Sequence, residues 1–203
     1  MNRRLASLAL PLLLLSATAC TADSDAPASP RQDTAAAARP SPFEDCAALA
    51  DGPAGSGDGQ VAGDPLPELT LTCFTGGAPV ALRDIRGPAV VNIWASWCPP
   101  CRKELPAFQR LHERTEGQLR VIGVNSRDSR EGAQSIGEDF GVRFPMLVDQ
   151  GEAVQRALRR NAVPLTVFVD AQSRIRHIDS SGALDDARLA ELVRRHLGLT
   201  VTA

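Results

Sequence analysis

Strands alternating with helices predict an α/β domain with helices on both faces of a mixed sheet, and three observations carry that prediction. The near-continuous apolar run Ala89-Val90-Val91-Asn92-Ile93-Trp94-Ala95 has the pattern of a strand buried on both faces. Other stretches place apolar residues at helical spacing, as Leu105, Phe108 and Leu111 do. A hydrophobic fraction of 43% against 23% charged residues, with a net charge of −2, is that of an ordinary globular chain. The same figures exclude nucleic-acid binding by bulk charge, which needs a large surplus of Lys and Arg. Five cysteines in 203 residues are too few for a disulfide-knot scaffold. No apolar run of about 20 residues follows the N-terminal region, which argues against several membrane spans.

Residues 1–20 read as an export signal. Arg3 and Arg4 form a positive start, Leu5 to Leu15 is almost wholly apolar, and Ser16-Ala17-Thr18-Ala19 leads into Cys20. Small residues before a cysteine resemble the bacterial lipobox, so Cys20 is the expected lipidation site and first mature residue. The stretch is too short to span a bilayer; two acyl chains on Cys20 suffice for stable anchoring. Residues 21–60 are rich in Ala, Pro, Ser, Gly and Asp, and their charge is acidic, with only Arg31 and Arg39 opposing. Such a segment buries too little apolar surface to offset its conformational entropy and reads as a flexible tether. Phe43 and Cys46 interrupt its composition, marking a place where it touches the domain.

The folded domain is expected over 61–203. Residues 69–74 and 80–82 are short alternating stretches around Gly76-Gly77, a hairpin signal. The buried strand at 88–95 runs into a helix over 98–115, and 119–124 is a second buried strand. A helix follows over 129–140, with Ser129 as N-cap and Gly141 as its stop. A short strand at 144–148, a helix at 152–160 and a core strand at 165–169 come next. The strand 174–178 pairs beside the last, and an amphipathic helix at 185–197 closes the chain.

Chemistry concentrates in Trp97-Cys98-Pro99-Pro100-Cys101, where a buried strand ends and a helix begins. A thiol at a helix N-terminus meets unpaired N–H groups and the positive end of the macrodipole, which stabilise its thiolate. Only the thiolate attacks a disulfide. Two intervening residues set Cys101 one turn along, and prolines cost little at the first helical positions. The competing reading, half of a structural zinc site, needs a second Cys/His pair. Cys46, Cys73, His112, His177 and His196 form no ligand spacing, so no metal or cofactor is expected.

Trp-Ala-Ser-Trp-Cys-Pro-Pro-Cys-Arg-Lys-Glu-Leu-Pro at 94–106 resembles the thioredoxin superfamily and, within it, extracytoplasmic oxidoreductases of the TlpA/ResA/CcmG type. The resemblance extends from about Gly63 to Leu197. It implies a thioredoxin fold with an N-terminal β-hairpin and a central helix-strand insertion, the latter matched by Ser126 to Val148. It also implies that Pro164, in Val163-Pro164-Leu165-Thr166, is cis and faces the dithiol. Asn92 stands where ordinary thioredoxins have a buried Asp, and Glu104 where ResA-like proteins have an acid near the dithiol. The implied roles are Cys98 as nucleophile, Cys101 as resolving thiol and Glu104 as carrier of the resolving proton. Glu104 shares a helix face with Cys101, though a solvated surface Glu has the same spacing. A cis Pro164 presents the Val163 backbone as an edge for an extended substrate.

Cys46 and Cys73 remain as an even pair in an exported chain, which favours a structural disulfide worth about 3–4 kcal/mol in the entropy model. A second redox pair is the alternative, but neither cysteine sits at an evident helix start. The expected activity is exchange with exported protein thiols or disulfides, helped by a membrane electron-transfer thiol partner. The family leans toward reduction, as in the maturation of cytochromes c; an oxidase for oxidative folding is the alternative. A thiol peroxidase commonly has Thr or Ser three residues before its cysteine, where Ala95 stands. A copper-delivery lipoprotein uses wider cysteine spacing than Cys98 and Cys101 have.

Overall fold

The computed structural model describes residues 39–51, 63–115 and 117–201. The signal segment with Cys20, and tether residues 21–38 and 52–60, lie outside the described residues. In chain order the elements are β1 (Thr70–Cys73), β2 (Val80–Ala81), β3 (Ala89–Trp94), α1 (Pro99–Arg114), β4 (Arg120–Ser126) and α2 (Arg130–Asp139). They continue with β5 (Met146–Asp149), α3 (Ala153–Ala157), β6 (Leu165–Val169), β7 (Ile175–Asp179) and α4 (Asp186–Leu197). The seven strands form one mixed sheet in the order β2-β1-β5-β4-β3-β6-β7. β3, β4 and β5 are parallel, and every other pairing is antiparallel. This is a thioredoxin-like fold with a hairpin added at the β5 edge.

Strand periodicity divides the core. On β3, Val90 and Trp94 face the layer of α1, α2 and α4, while Val91 and Ile93 face the other layer. That second layer is only partly helical. Val154 of the five-residue α3 contributes, but Leu49 and Leu82 from single 3₁₀ turns, and Leu66 and Ile85 from irregular segments, cover much of it. The helix expected over 152–160 is shorter because Glu152 and Arg159 adopt left-handed backbone conformations at φ 55° and 56°. The strand expected from 144 begins at Met146 instead, with Phe144 buried ahead of it. Ser129 caps α2 by accepting from the Gly132 N–H at 3.0 Å.

The N-terminal boundary also differs from the expected one. The compact unit begins at Arg39, not at 61. Phe43, Cys46 and Leu49 are 4%, 2% and 3% exposed, so residues 39–51 are part of the fold rather than of a tether. Phe43 stacks edge-on against Phe74 at 4.8 Å, and the Glu44 N–H donates to the Arg143 carbonyl at 2.6 Å. A Cβ at position 137 would lie 2.6 Å from the Phe43 ring, which is why α2 has glycine there. Cys46 is bonded to Cys73 with a Cα separation of 5.9 Å, joining this strap to β1.

Candidate active site: a dithiol at the start of α1

β3 delivers the chain to a short loop, Ala95-Ser96-Trp97, and Cys98 is the N-cap of α1 with extended backbone (φ −94°, ψ 105°). Pro99 and Pro100 fill the first two helical positions, where an N–H has no partner within the helix. Cys98 and Cys101 are disulfide-bonded with Cα atoms 5.3 Å apart. The Cys98 sulfur also accepts from the Cys101 N–H at 3.2 Å, the contact through which a helix start favours a thiolate. Cys98 is 3% exposed and Cys101 is fully buried.

Glu104 lies one turn beyond Cys101 and is wholly buried, so it is not the solvated surface residue its spacing also allowed. Its carboxylate accepts from the Asn92 side chain at 2.6 Å and from the Leu184 N–H at 3.1 Å. Burial pushes its pKa up to about 7, against the opposing pull of those two hydrogen bonds, with a further small rise from Asp179. Asn92 reaches it because it shares the α1-facing side of β3 with Val90 and Trp94.

The Val163–Pro164 peptide is cis and leads directly into β6. The antiparallel register Ile93↔Leu165 carries that bond alongside the end of β3, next to the loop that bears Cys98. A second cis bond, Gly87–Pro88, precedes β3; a Cβ at Gly87 would collide with the Asp170 carbonyl oxygen at 1.7 Å. The Gly-Pro pair marks a turn in sequence but says nothing about its isomer.

Sequence reasoning missed Asp128. Its carboxylate accepts from Ser96 N at 2.5 Å, Ser96 Oγ at 2.6 Å, Asn125 Nδ2 at 2.8 Å and Ser129 N at 2.8 Å. It therefore ties the loop before Cys98 to the β4–α2 loop. The adjacent Trp97 is 56% exposed and anchors only its indole N–H, on the Arg127 carbonyl at 2.9 Å. The signal available in sequence was an Asp-Ser pair just before a helix, which reads as a cap and nothing more.

The histidines take structural places. His112 contacts Glu44 at 3.1 Å, and His177 stacks on His196 at 4.1 Å between β7 and α4. No helix among the described residues is long and apolar enough to cross a membrane.

With that geometry in place, comparison with known proteins decides the family. Residues 62–178, more than half of the chain, match the AhpC/TSA family. The chain belongs to that family. It is similar to the thiol-disulfide oxidoreductase ResA of Geobacillus kaustophilus, 28% identical over 137 residues, 66% of this chain and 75% of that protein. A DsbF homologue of known structure from Corynebacterium diphtheriae is 28% identical with a TM-score of 0.57, covering 64% of this chain and 85% of the other. A secreted thiol-disulfide isomerase from Corynebacterium glutamicum has 25% identity and a TM-score of 0.57, covering 66% and 83%. This member of the family is thioredoxin-like, a thiol–disulfide oxidoreductase of the ResA type.

Proposed function

We propose that the protein works outside the cytoplasm, held to the membrane through a lipidated Cys20, and reduces disulfides of other exported proteins with Cys98 and Cys101. On this reading residues 1–20 are a signal peptide and residues 21–38 a tether. The observation that carries the site assignment is the N-cap position of Cys98, with Cys101 buried one turn in and Glu104 beneath it. The secreted relative and the likeness to ResA support an extracytoplasmic place.

The electron count is simple. The Cys98 thiolate attacks one sulfur of a substrate disulfide; a Cys98–substrate bond forms and the substrate's own S–S bond breaks. The departing substrate sulfur takes a proton. Cys101, having passed its proton to the Glu104 carboxylate, attacks the Cys98 sulfur, closes the protein disulfide and releases the second substrate thiolate, which is protonated in turn. Two electrons and two protons pass to the substrate, and a membrane dithiol partner restores them by the reverse exchange. A carboxyl with a pKa of about 7 accepts and returns a proton at neutral pH with little bias. The backbone of Val163 supplies an edge along which an extended substrate pairs. The C-x-x-C-H haem sites of apocytochromes c are one substrate of this kind. An oxidase role uses the same steps in reverse, and the dithiol's reduction potential separates the two directions. Ala95, three residues before Cys98, is buried and has no hydroxyl, so the site offers peroxide chemistry no particular help.

The test is trapping. Cys101→Ser is expected to accumulate mixed disulfides with substrates in the membrane fraction, and Cys98→Ser to accumulate few. Equal trapping by both variants, or faster alkylation of Cys101 than of Cys98 in the reduced protein, overturns the assignment. Adducts found wholly in the soluble fraction overturn the tether.

A further inference from the structure

We propose that the surface around the dithiol selects disulfides lying in acidic protein segments. This rests on the oxidoreductase reading above and names the substrate class of the same site; the exchange step itself is unchanged. Two stretches frame the redox centre, 94–103 and 157–164. Neither contains an Asp or a Glu, whereas together they carry Arg102, Lys103, Arg159 and Arg160. The chain as a whole has a net charge of −2, so these four positive charges are a local excess against the overall sign.

Their placement follows from backbone geometry. The Arg102 N–H donates to the Cys98 carbonyl at 3.2 Å, one turn along α1. Helical side chains lean toward the N-terminus, so Arg102 covers the surface beside Cys98, with exposed Lys103 next to it. The register that sets Ile93 against Leu165 brings Val163 and Pro164 alongside Trp94 and Ala95. Arg159 and Arg160 are exposed in the segment that enters this cis-proline turn. They precede Val163 by so few residues that the chain spans at most about 14 Å, near the screening length at low salt.

None of the four makes an ion pair among the described residues, although arginines elsewhere do. Arg110 pairs with Asp186, Arg127 with Glu152, and both Arg188 and Arg195 with Glu191. The carboxylates near the dithiol are already engaged. Glu104 is buried, Asp128 accepts four hydrogen bonds, Glu152 pairs with Arg127, and Asp185 caps α4 at the Arg188 N–H. Exposed Trp97 gives the same surface an apolar centre. An aromatic centre with a rim of unpaired cations is complementary to an extended segment whose cysteines are flanked by Asp or Glu. Complementary rim charge acts on encounter and partner choice more than on the chemical step.

The experiment uses the reduced full chain and three peptides with the same Cys-x-x-Cys disulfide, flanked by acidic, neutral or basic residues. At low ionic strength the acidic peptide is expected to be reduced roughly ten-fold faster than the basic one, a gap that closes in about 0.5 M salt. Charge reversal by R159E/R160E is expected to shrink or invert the ratio. Equal rates for the three peptides at low salt overturn the selectivity and leave the oxidoreductase reading standing. Exchange with none of them overturns both. A ratio that survives in R159E/R160E overturns the assignment to that segment, and the salt series on the unaltered chain decides the selectivity even if that variant fails to fold.

Discussion

Glu104 is where local spacing and tertiary burial meet. The helix places it on the Cys101 side, but its properties come from Asn92 on β3 and Leu184 before α4, both distant in sequence. Because its pKa is raised from 4.5 to about 7, the folded protein binds more protons than the unfolded chain between those values. The corresponding stability is fully present below about pH 4.5 and is lost as pH rises through about 7, up to about 3 kcal/mol. Glu104→Gln keeps the size and one acceptor oxygen for the Leu184 N–H while removing the titration. Its amide can donate to Asn92 Oδ1 once that side chain turns over. Glu104 is expected to lower the urea midpoint of the oxidised wild type between about pH 4.5 and pH 8 relative to that of the variant, which lacks this contribution. The same slope in both would show that Glu104 does not titrate in this range. The variant is also expected to slow the resolving step and remove a pH-rate limb near 7.

At the scale of elements, the dithiol depends on two loops being held together. Asp128→Ala leaves the N–H groups of Ser96 and Ser129 without the acceptor they share. A loss of about 1–3 kcal/mol is expected, since buried donors are left unsatisfied. A freed loop also lets Cys98 drift from its capping position, forfeiting part of the helix-terminus stabilisation of its thiolate. That contribution is about 0.3–1 kcal/mol, so alkylation of reduced Cys98 at neutral pH is expected to slow about two- to five-fold. Unchanged alkylation kinetics in a less stable protein would reduce Asp128 to a scaffold residue. Asp128 was illegible in sequence for the reason that the dithiol was legible. Residues 94–104 are contiguous, and a strand end, two cysteines, two prolines and an acid at helical spacing specify their own arrangement. The Asp128 network joins ends of two different parallel strands, β3 and β4, and no local pattern reports such a meeting. The central strands could be read because their apolar runs are long; the ends of α3 could not, because left-handed residues bound it and nothing in their side chains requires that conformation.

For the whole molecule, the open matter was where the fold begins, and composition was a poor guide. Residues 39–51 share the Ala, Asp and Pro content of the stretch before them, yet Phe43 enters one core layer and Cys46 and Leu49 the other. The strap thus passes around the β1–β5 side of the sheet and contributes to both layers. It is fastened by the disulfide to Cys73, by Leu49 O accepting from Arg86 N, and by Asp51 O accepting from Arg120 at 2.6 Å. Burial of Phe43 and Leu49 stabilises by about 1.5–3 kcal/mol each, and loop closure by the disulfide adds about 3–4 kcal/mol. Those sums rival the whole stability of an ordinary domain, about 5–15 kcal/mol. A chain beginning at Arg39 is therefore expected to melt like the full chain and to exchange with soluble disulfides at the same rate, since it retains every described group. A chain beginning at residue 61 loses the strap, uncovers Phe74 and leaves Cys73 as a free thiol; it is expected to be largely unfolded or aggregated near physiological temperature. Melting curves of the two truncations decide the matter. If the shorter chain melts within a few degrees of the longer one, the strap is an appendage and the domain does begin at the hairpin.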